Sequence, residues 1–257
     1  MRRVIAFECA GETLIGSLDP AAGTRGLLIV SGGNEVRAGA HRGMALLAAE
    51  IAAAGHPVFR YDRRGVGDSS GVNAGYAGAA EDLAAAVAAF RAAAPHLTEI
   101  AGYGNCDGAT ALLLHAPAAF SRLLLANPWT IAEAGPLPPP AAIRARYARR
   151  LRDPAAWASL VQGKIDFTRL FRGLSAITNT ASQELTPLEQ AIFAALRAHP
   201  DARILLASGD ATAIAFADAA RRAGYAGRVT TIDSASHSFA SAQDKGALKA
   251  ALLALLG

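Results

Sequence analysis

Residues 102–110 read Gly102-Tyr103-Gly104-Asn105-Cys106-Asp107-Gly108-Ala109-Thr110. A cysteine stands between two glycines at the spacing G-x-C-x-G. The apolar run Glu99–Ala101 precedes it and the helix-forming run Ala109–Leu114 follows. Taken alone, a cysteine in a hydrophobic protein is usually a core residue. These neighbours point elsewhere. Glycines two before and two after permit a sharp strand-to-helix turn that projects a nucleophile outward. A helix beginning just beyond turns its N–H groups and positive dipole end toward the sulfur, which favours thiolate.

Working outward, the apolar and β-branched runs predict strands at Val4–Cys9, Thr13–Leu18, Gly26–Val30, Pro57–Tyr61, Glu99–Tyr103, Arg122–Ala126, Arg203–Ala207 and Val229–Ile232. Gly11-Glu12 suggests a hairpin between the first two. Ala-rich helical stretches separate the others: His41–Ala54, Ala77–Ala93, Ala109–Leu114, Ala213–Ala223 and Ala240–Leu256. A hairpin followed by strand–helix alternation implies a mostly parallel sheet flanked by helices. The alternation fails between Trp129 and Pro200. There a proline run at 136–140 is followed by helix-like pieces at Ala141–Leu151, Pro154–Val161, Phe167–Leu174 and Pro187–Ala198. A connection this long implies an insertion. The expected organisation is a core of residues 1–128 and 201–257 with a helical cap at 129–200.

The remaining catalytic candidates follow in the order nucleophile, acid, histidine that such an elbow uses. Asp210 closes the next-to-last strand segment and His237 follows the last one. In an open α/β sheet the C-terminal strand ends face one crevice, so the three can converge. Asp210 would orient the imidazole of His237, which would exchange a proton with Cys106. Individually, a strand-end aspartate is more often a helix cap and a loop histidine more often a surface group. An acyl-transfer site also needs an oxyanion hole. The backbone N–H of Asp107 would supply one donor, and the loop Ser31–Gly39 the other, with Gly33 the first choice and Asn34 the second. His41 and Trp129 are candidates to line the pocket. In Tyr61–Gly71, Asp62 and Asp68 read as turn residues rather than catalytic acids, because they precede the nucleophile among glycines.

With 52% hydrophobic and 18% charged residues, the chain of 257 residues belongs to the globular class. Its formal net charge of +4 is too small and too dispersed to imply nucleic acid, and suits small anionic substrates at least as well. Two cysteines, Cys9 and Cys106, make no disulfide framework and show no metal or redox spacing. No metal or cofactor is expected. Glu8 interrupts the N-terminal apolar run before a signal-peptide core could form, and the C-terminal Leu248–Leu256 is too short to span a bilayer. A soluble cytoplasmic protein is expected.

With these motifs in place, the sequence resembles the α/β-hydrolase superfamily over nearly its whole length. More narrowly, it is similar to the exosortase A system-associated hydrolases of type 1, bacterial proteins encoded with exopolysaccharide and protein-sorting systems. The stretches that carry the likeness are LLIVSGGNEVRAGAHR, GHPVFRYDRRGVGDSSG, GNCDGA, NPW at Asn127–Trp129, and SHSF. In that family proline commonly follows the double glycine where this chain has Asn34. This favours Gly33 as the oxyanion donor, since proline lacks an N–H. The resemblance leaves the substrate open. A cysteine nucleophile suits thioester or activated-ester cleavage, lactone hydrolysis and acyl transfer. Cap arginines such as Arg149 and Arg150 read either as a solvated basic face or as a cationic mouth for coenzyme A or a carrier-protein-linked acyl group. A lactone hydrolase resembling dienelactone hydrolase, and a non-catalytic scaffold of a polysaccharide-assembly system, remain alternatives.

Overall fold

The computed structural model describes residues 1–115, 117–131, 142 and 184–257. Strands β1 (Arg3–Cys9) and β2 (Glu12–Asp19) form an antiparallel hairpin in which Arg3 faces Leu18 and Cys9 faces Glu12. Its two turn residues are Ala10 and Gly11, both at positive φ, so the turn lies one residue earlier than the glycine alone suggests. Paired positive φ values suit a two-residue hairpin, because they match the twist of its strands.

Six parallel strands follow: β3 (Arg25–Val30), β4 (Val58–Tyr61), β5 (Glu99–Asn105), β6 (Arg122–Ala126), β7 (Arg203–Ala207) and β8 (Arg228–Ile232). β2 joins them antiparallel to β4, giving the order β1-β2-β4-β3-β5-β6-β7-β8. The chain leaves β3 toward β4 on one side and later enters β5 on the other. The loops after β3 and β5 therefore diverge and open a crevice at the carboxyl ends of the strands. The central strands read as unbroken apolar runs, as in Leu27–Val30, because helices cover both faces.

On one face lie α1 (Gly43–Ala53) and α6 (Ala242–Leu256), where Met44, Leu47 and Ile51 share a core with Leu248, Leu252 and Leu255. On the other lie α2 (Ala80–Ala93), α3 (Asp107–His115), α4 (Pro187–Ala198) and α5 (Ala211–Arg222). Their core residues include Leu83, Phe90, Leu112, Phe193 and Phe216. Local chemistry sets several helix starts. Thr186 and Glu189 form a reciprocal capping box ahead of Pro187, Ser241 and Asp244 form another, and Asp210 caps α5. Each such cap contributes about 1 kcal/mol.

Most of the expected cap, including Arg149, Arg150 and its first three helix-like pieces, lies outside the described residues apart from Ala142. Its last piece is α4. Ile192 and Phe193 are fully buried in the same core as Leu112 and Phe216, and the rings of Phe193 and Phe216 are 5.6 Å apart. α4 thus packs in the helical layer that covers the sheet. Among the described residues, no helix is long and apolar enough to cross a membrane.

Candidate active site

Cys106 occupies the turn between β5 and α3 with φ of 58°, in the left-handed region that a residue with a Cβ rarely adopts. Such a backbone costs on the order of 1–3 kcal/mol and persists only where its surroundings enforce it. The flanking glycines do so. A Cβ on Gly104 would come within 2.7 Å of the backbone of Gly108 and Ala109, and one on Gly108 within 2.6 Å of the Val30 carbonyl. The start of α3 is therefore pressed against β5 and the end of β3, and the thiol is lifted into a partly exposed position. Cys9, by contrast, is buried beside Asp82. Burial first, and that carboxylate second, push its pKa up to about 11.

His237 follows β8, and its Nδ1 lies 2.9 Å from Asp210 Oδ1. The other oxygen of Asp210 accepts the N–H of Ala213 at 2.9 Å, so a single carboxylate starts α5 and holds the imidazole. Burial alone would raise the pKa of Asp210. The hydrogen bond and charge of His237, with the N–H groups of Ala213 and Thr212, outweigh it and bring the pKa below its usual value. The imidazole responds in the opposite sense. Its hydrogen bond to Asp210, then its hydrogen bond to Cys106, overcome desolvation and raise its pKa to about 10. Cys106, His237 and Asp210 thus converge from the ends of β5, β8 and β7.

Two asparagines complete the support of His237. Asn105 ends β5 beside Ala126, and Asn127 follows immediately at the end of β6. Both side-chain amides donate to the His237 carbonyl, at 3.1 and 3.2 Å, and Asn127 also donates to Asn105 Oδ1 at 3.2 Å. Asn127 Oδ1 accepts the N–H of Ala207 in β7 at 2.9 Å. Fully buried, with φ of 41°, Asn127 ties three strands to the histidine loop. Neither amide was a site candidate from the sequence. Their signals were present in G-N-C and N-P-W, but an asparagine beside a glycine or proline reads first as turn chemistry.

Across from the elbow, Gly33 sits at the tip of the loop after β3 with φ of 57°. Its N–H donates to Asp107 Oδ1, and Arg63 reaches both partners, donating to the Gly33 carbonyl and pairing with Asp107 at 3.2 Å. The N–H expected to face an oxyanion therefore meets a carboxylate, and Arg63, 3% exposed, holds that carboxylate in place. Arg63 was also missed, because a D-x-R-G sequence reads as a turn. Asn34 is exposed and accepts a hydrogen bond from Asn73 at 2.8 Å. His41 is exposed within a tight turn, at φ of 50°. Trp129 lies under the elbow: its N–H donates to the Cys106 carbonyl at 3.2 Å, and its own carbonyl accepts from Thr110 at 2.8 Å. Asp62 is fully buried and bonded to Arg37 and to its own turn, away from His237. Among the described residues, no three or more His, Cys, Asp or Glu side chains are arranged to hold a metal ion.

The model of the alpha/beta hydrolase family matches residues 27–249. The chain belongs to that family. Among solved structures, this hydrolase is similar to esterase Pf2001 of Pyrococcus furiosus, at 15% identity and a TM-score of 0.63 over 100% of this chain and 92% of that one. It is also similar to Est1E of Butyrivibrio proteoclasticus, solved with ferulic acid, at 14% identity and a TM-score of 0.59 over 98% of each chain. The thioesterase domain from the curacin biosynthetic pathway matches at 13% identity and a TM-score of 0.57, over 98% of this chain and 99% of that domain. No curated protein matches the sequence.

Proposed function

We propose that this hydrolase cleaves a thioester or activated ester through an acyl-enzyme on Cys106, with His237 moving the proton and Asp210 orienting it. The observation that carries the proposal is the Nδ1 bond of His237 to Asp210, 2.9 Å long, made by an imidazole that lies beside Cys106. With Nδ1 engaged, Nε2 is the nitrogen left for the sulfur. An imidazole whose pKa is raised to about 10 carries its proton at neutral pH and can give it to a leaving group.

In the proposed reaction the Cys106 sulfur attacks the acyl carbon, and the carbonyl π pair moves to oxygen. Collapse of this tetrahedral intermediate expels the leaving thiolate or alkoxide, which takes the Nε2 proton of His237. Neutral His237 then accepts a proton from water as the water oxygen attacks the Cys106 thioester. A second collapse returns the thiolate–imidazolium pair and releases the acid. The backbone N–H groups of Asp107 and Gly33 are the proposed oxyanion donors. For Gly33 to serve, the substrate carbonyl must displace the Asp107 carboxylate, which keeps Arg63 as its partner.

The similarity in fold to an esterase and to a thioesterase domain supports both bond types. The sequence likeness to exosortase A system-associated hydrolases supports a role beside bacterial exopolysaccharide assembly. Arg149 and Arg150 are the proposed contacts for an anionic, coenzyme A- or carrier-protein-linked leaving group. The test is a panel of acyl-thioesters, esters and lactones given to the purified protein, followed by peptide mass spectrometry. The expected result is thioester turnover with acyl mass on the Cys106 peptide, both abolished in Cys106→Ala. Turnover that survives Cys106→Ala would overturn the proposal, and turnover of lactones alone would redirect it to lactone hydrolysis.

A further inference from the structure

A second concavity, of about 310 Å³, lies where β2, β4, α1 and the loop before α1 meet. Arg2, Arg37, Arg42, Arg60, Asp62 and Asp68 are among its lining residues. The charges there do not balance. Arg37 pairs with both Asp62 and Asp68, while Arg2 and Arg60 share Asp19. Arg42 has no carboxylate partner among the described residues.

The hydrogen-bond inventory is equally one-sided, because each guanidinium offers five N–H donors. Arg2 spends Nε on Asp19 and Nη2 on the Ala45 carbonyl. Arg37 spends Nε on Ser17 and Nη1 on its two carboxylates. Arg60 spends Nη1 on the Arg37 carbonyl and Nη2 on Asp19. Its Nε has no partner, although the residue is only 2% exposed. A buried donor left unpaired costs on the order of 1–3 kcal/mol. Among the described residues, Nη1 of Arg2, Nη2 of Arg37 and the whole fork of Arg42 therefore remain for a ligand. On the acceptor side, both oxygens of Asp62 are already engaged. A purely structural ion-pair network would have no use for this surplus of donors.

Donors arriving from three separate guanidinium groups, Arg2, Arg37 and Arg42, suit a tetrahedral oxyanion with several acceptors better than a flat carboxylate, which one planar fork can satisfy. We propose that this cavity binds a phosphate group, either free or as the phosphomonoester of a larger ligand.

The proposal is tested by titrating inorganic phosphate, glycerol 3-phosphate and acetate into the full-length protein at constant ionic strength, read by calorimetry. Saturable binding of the two phosphates but not of acetate is expected. Arg42→Gln should weaken it about tenfold, the loss that goes with one charged hydrogen bond. The Arg42 side chain makes no hydrogen bond or ion pair among the described residues, so its replacement isolates ligand contact from folding, whereas replacing Arg60 would confound the two. Equal affinity for the two phosphates would assign the site to the phosphate group alone, and tighter binding of the ester would assign it to a larger ligand. The same titration in Cys106→Ala should be unchanged, which separates this site from the proposed catalysis. Absence of saturable phosphate binding, or binding indifferent to Arg42→Gln, would overturn it.

Discussion

Two aspartates stand just beyond the ends of parallel strands, Asp62 after β4 and Asp210 after β7, and both are buried. Asp62 is saturated by its surroundings. One oxygen accepts the Arg37 N–H at 2.5 Å, and the other takes an Arg37 guanidinium N–H and the Asp68 N–H. The turn is built around it: a Cβ on Gly67 would come within 2.4 Å of Asp62 Oδ2. Asp210 divides its oxygens differently, giving one to the α5 backbone and the other to a partly exposed imidazole. The same residue type at equivalent strand ends thus fastens a loop in one place and faces a proton carrier in the other. What separates them is the identity of the donor opposite, and whether that donor can change its charge.

Replacing each aspartate by asparagine gives the largest expected effect. Asp210→Asn should lower kcat by about 10⁴-fold while the protein stays folded, because the imidazole loses the partner that sets its tautomer. Asp62→Asn should instead destabilise the fold by about 3 kcal/mol, since it leaves Arg37 without its buried counter-charge. Turnover per folded molecule should hardly change. Steady-state kinetics beside denaturant melts of both variants would decide, and the reverse pattern would move the acid's role to Asp62.

The next effect concerns what holds the imidazole from behind. Asn127→Ala removes one of the two donors to the His237 carbonyl and the link to Ala207. A displacement of the histidine loop by about 1 Å would cost roughly 10²-fold in kcat. KM should stay near its original value, and the pH at which activity declines should shift with the imidazole's new surroundings. A variant that is less stable but equally active when folded would confine Asn127 to a structural part.

The charge of His237 sharpens the contrast further, because Asp62 has no titrating partner. A folded-state pKa of about 10 lies above the ordinary value of 6.5. The contribution of this contact to stability is therefore fully present below about pH 6.5 and disappears as pH rises through about 10. Thermal melts of the wild type minus those of His237→Gln should show that decline, and the subtraction removes every other titrating group. A flat difference would mean that the imidazole is neutral in the folded protein. Activity should fall over the same alkaline range, as the proton needed by the leaving group is lost.

The smallest expected effect is a gain. Asp107→Ala leaves the backbone N–H in place but removes the carboxylate that occupies the N–H of Gly33. Freed of that competitor, kcat/KM per folded molecule on a small neutral ester should rise about fivefold, equivalent to one ordinary hydrogen bond, while the fold weakens because buried Arg63 loses its carboxylate. A loss of activity instead would give the Asp107 side chain a direct part in turnover.

Much of this architecture is legible in local sequence. The apolar runs of β3 to β7 announce buried parallel strands, and Gly104 and Gly108 announce the elbow, since a glycine requirement comes from contacts between near neighbours in the chain. The placement of Asp210 and His237 at strand ends also follows from element order alone. Less legible is the last part of the region expected to be a cap. The amphipathic pattern of α4 shows an apolar face but not the surface it will cover, and Phe193 turns out to pack on Phe216 in the core.

What the sequence by itself determined was the kind of chemistry available: a thiol in a tight strand-to-helix turn, a histidine after the last strand, and an acid after the strand before it. Tertiary structure alone decided who meets whom. Asn105 and Asn127 reach the carbonyl of His237 only because β5 and β6 lie side by side in one register. Asp107 reaches Gly33 and Arg63 only because β3 and β4 end beside the elbow. A side chain's donors and acceptors are written in its residue type, but their partners are set by strand order and register, which bring together groups far apart along the chain.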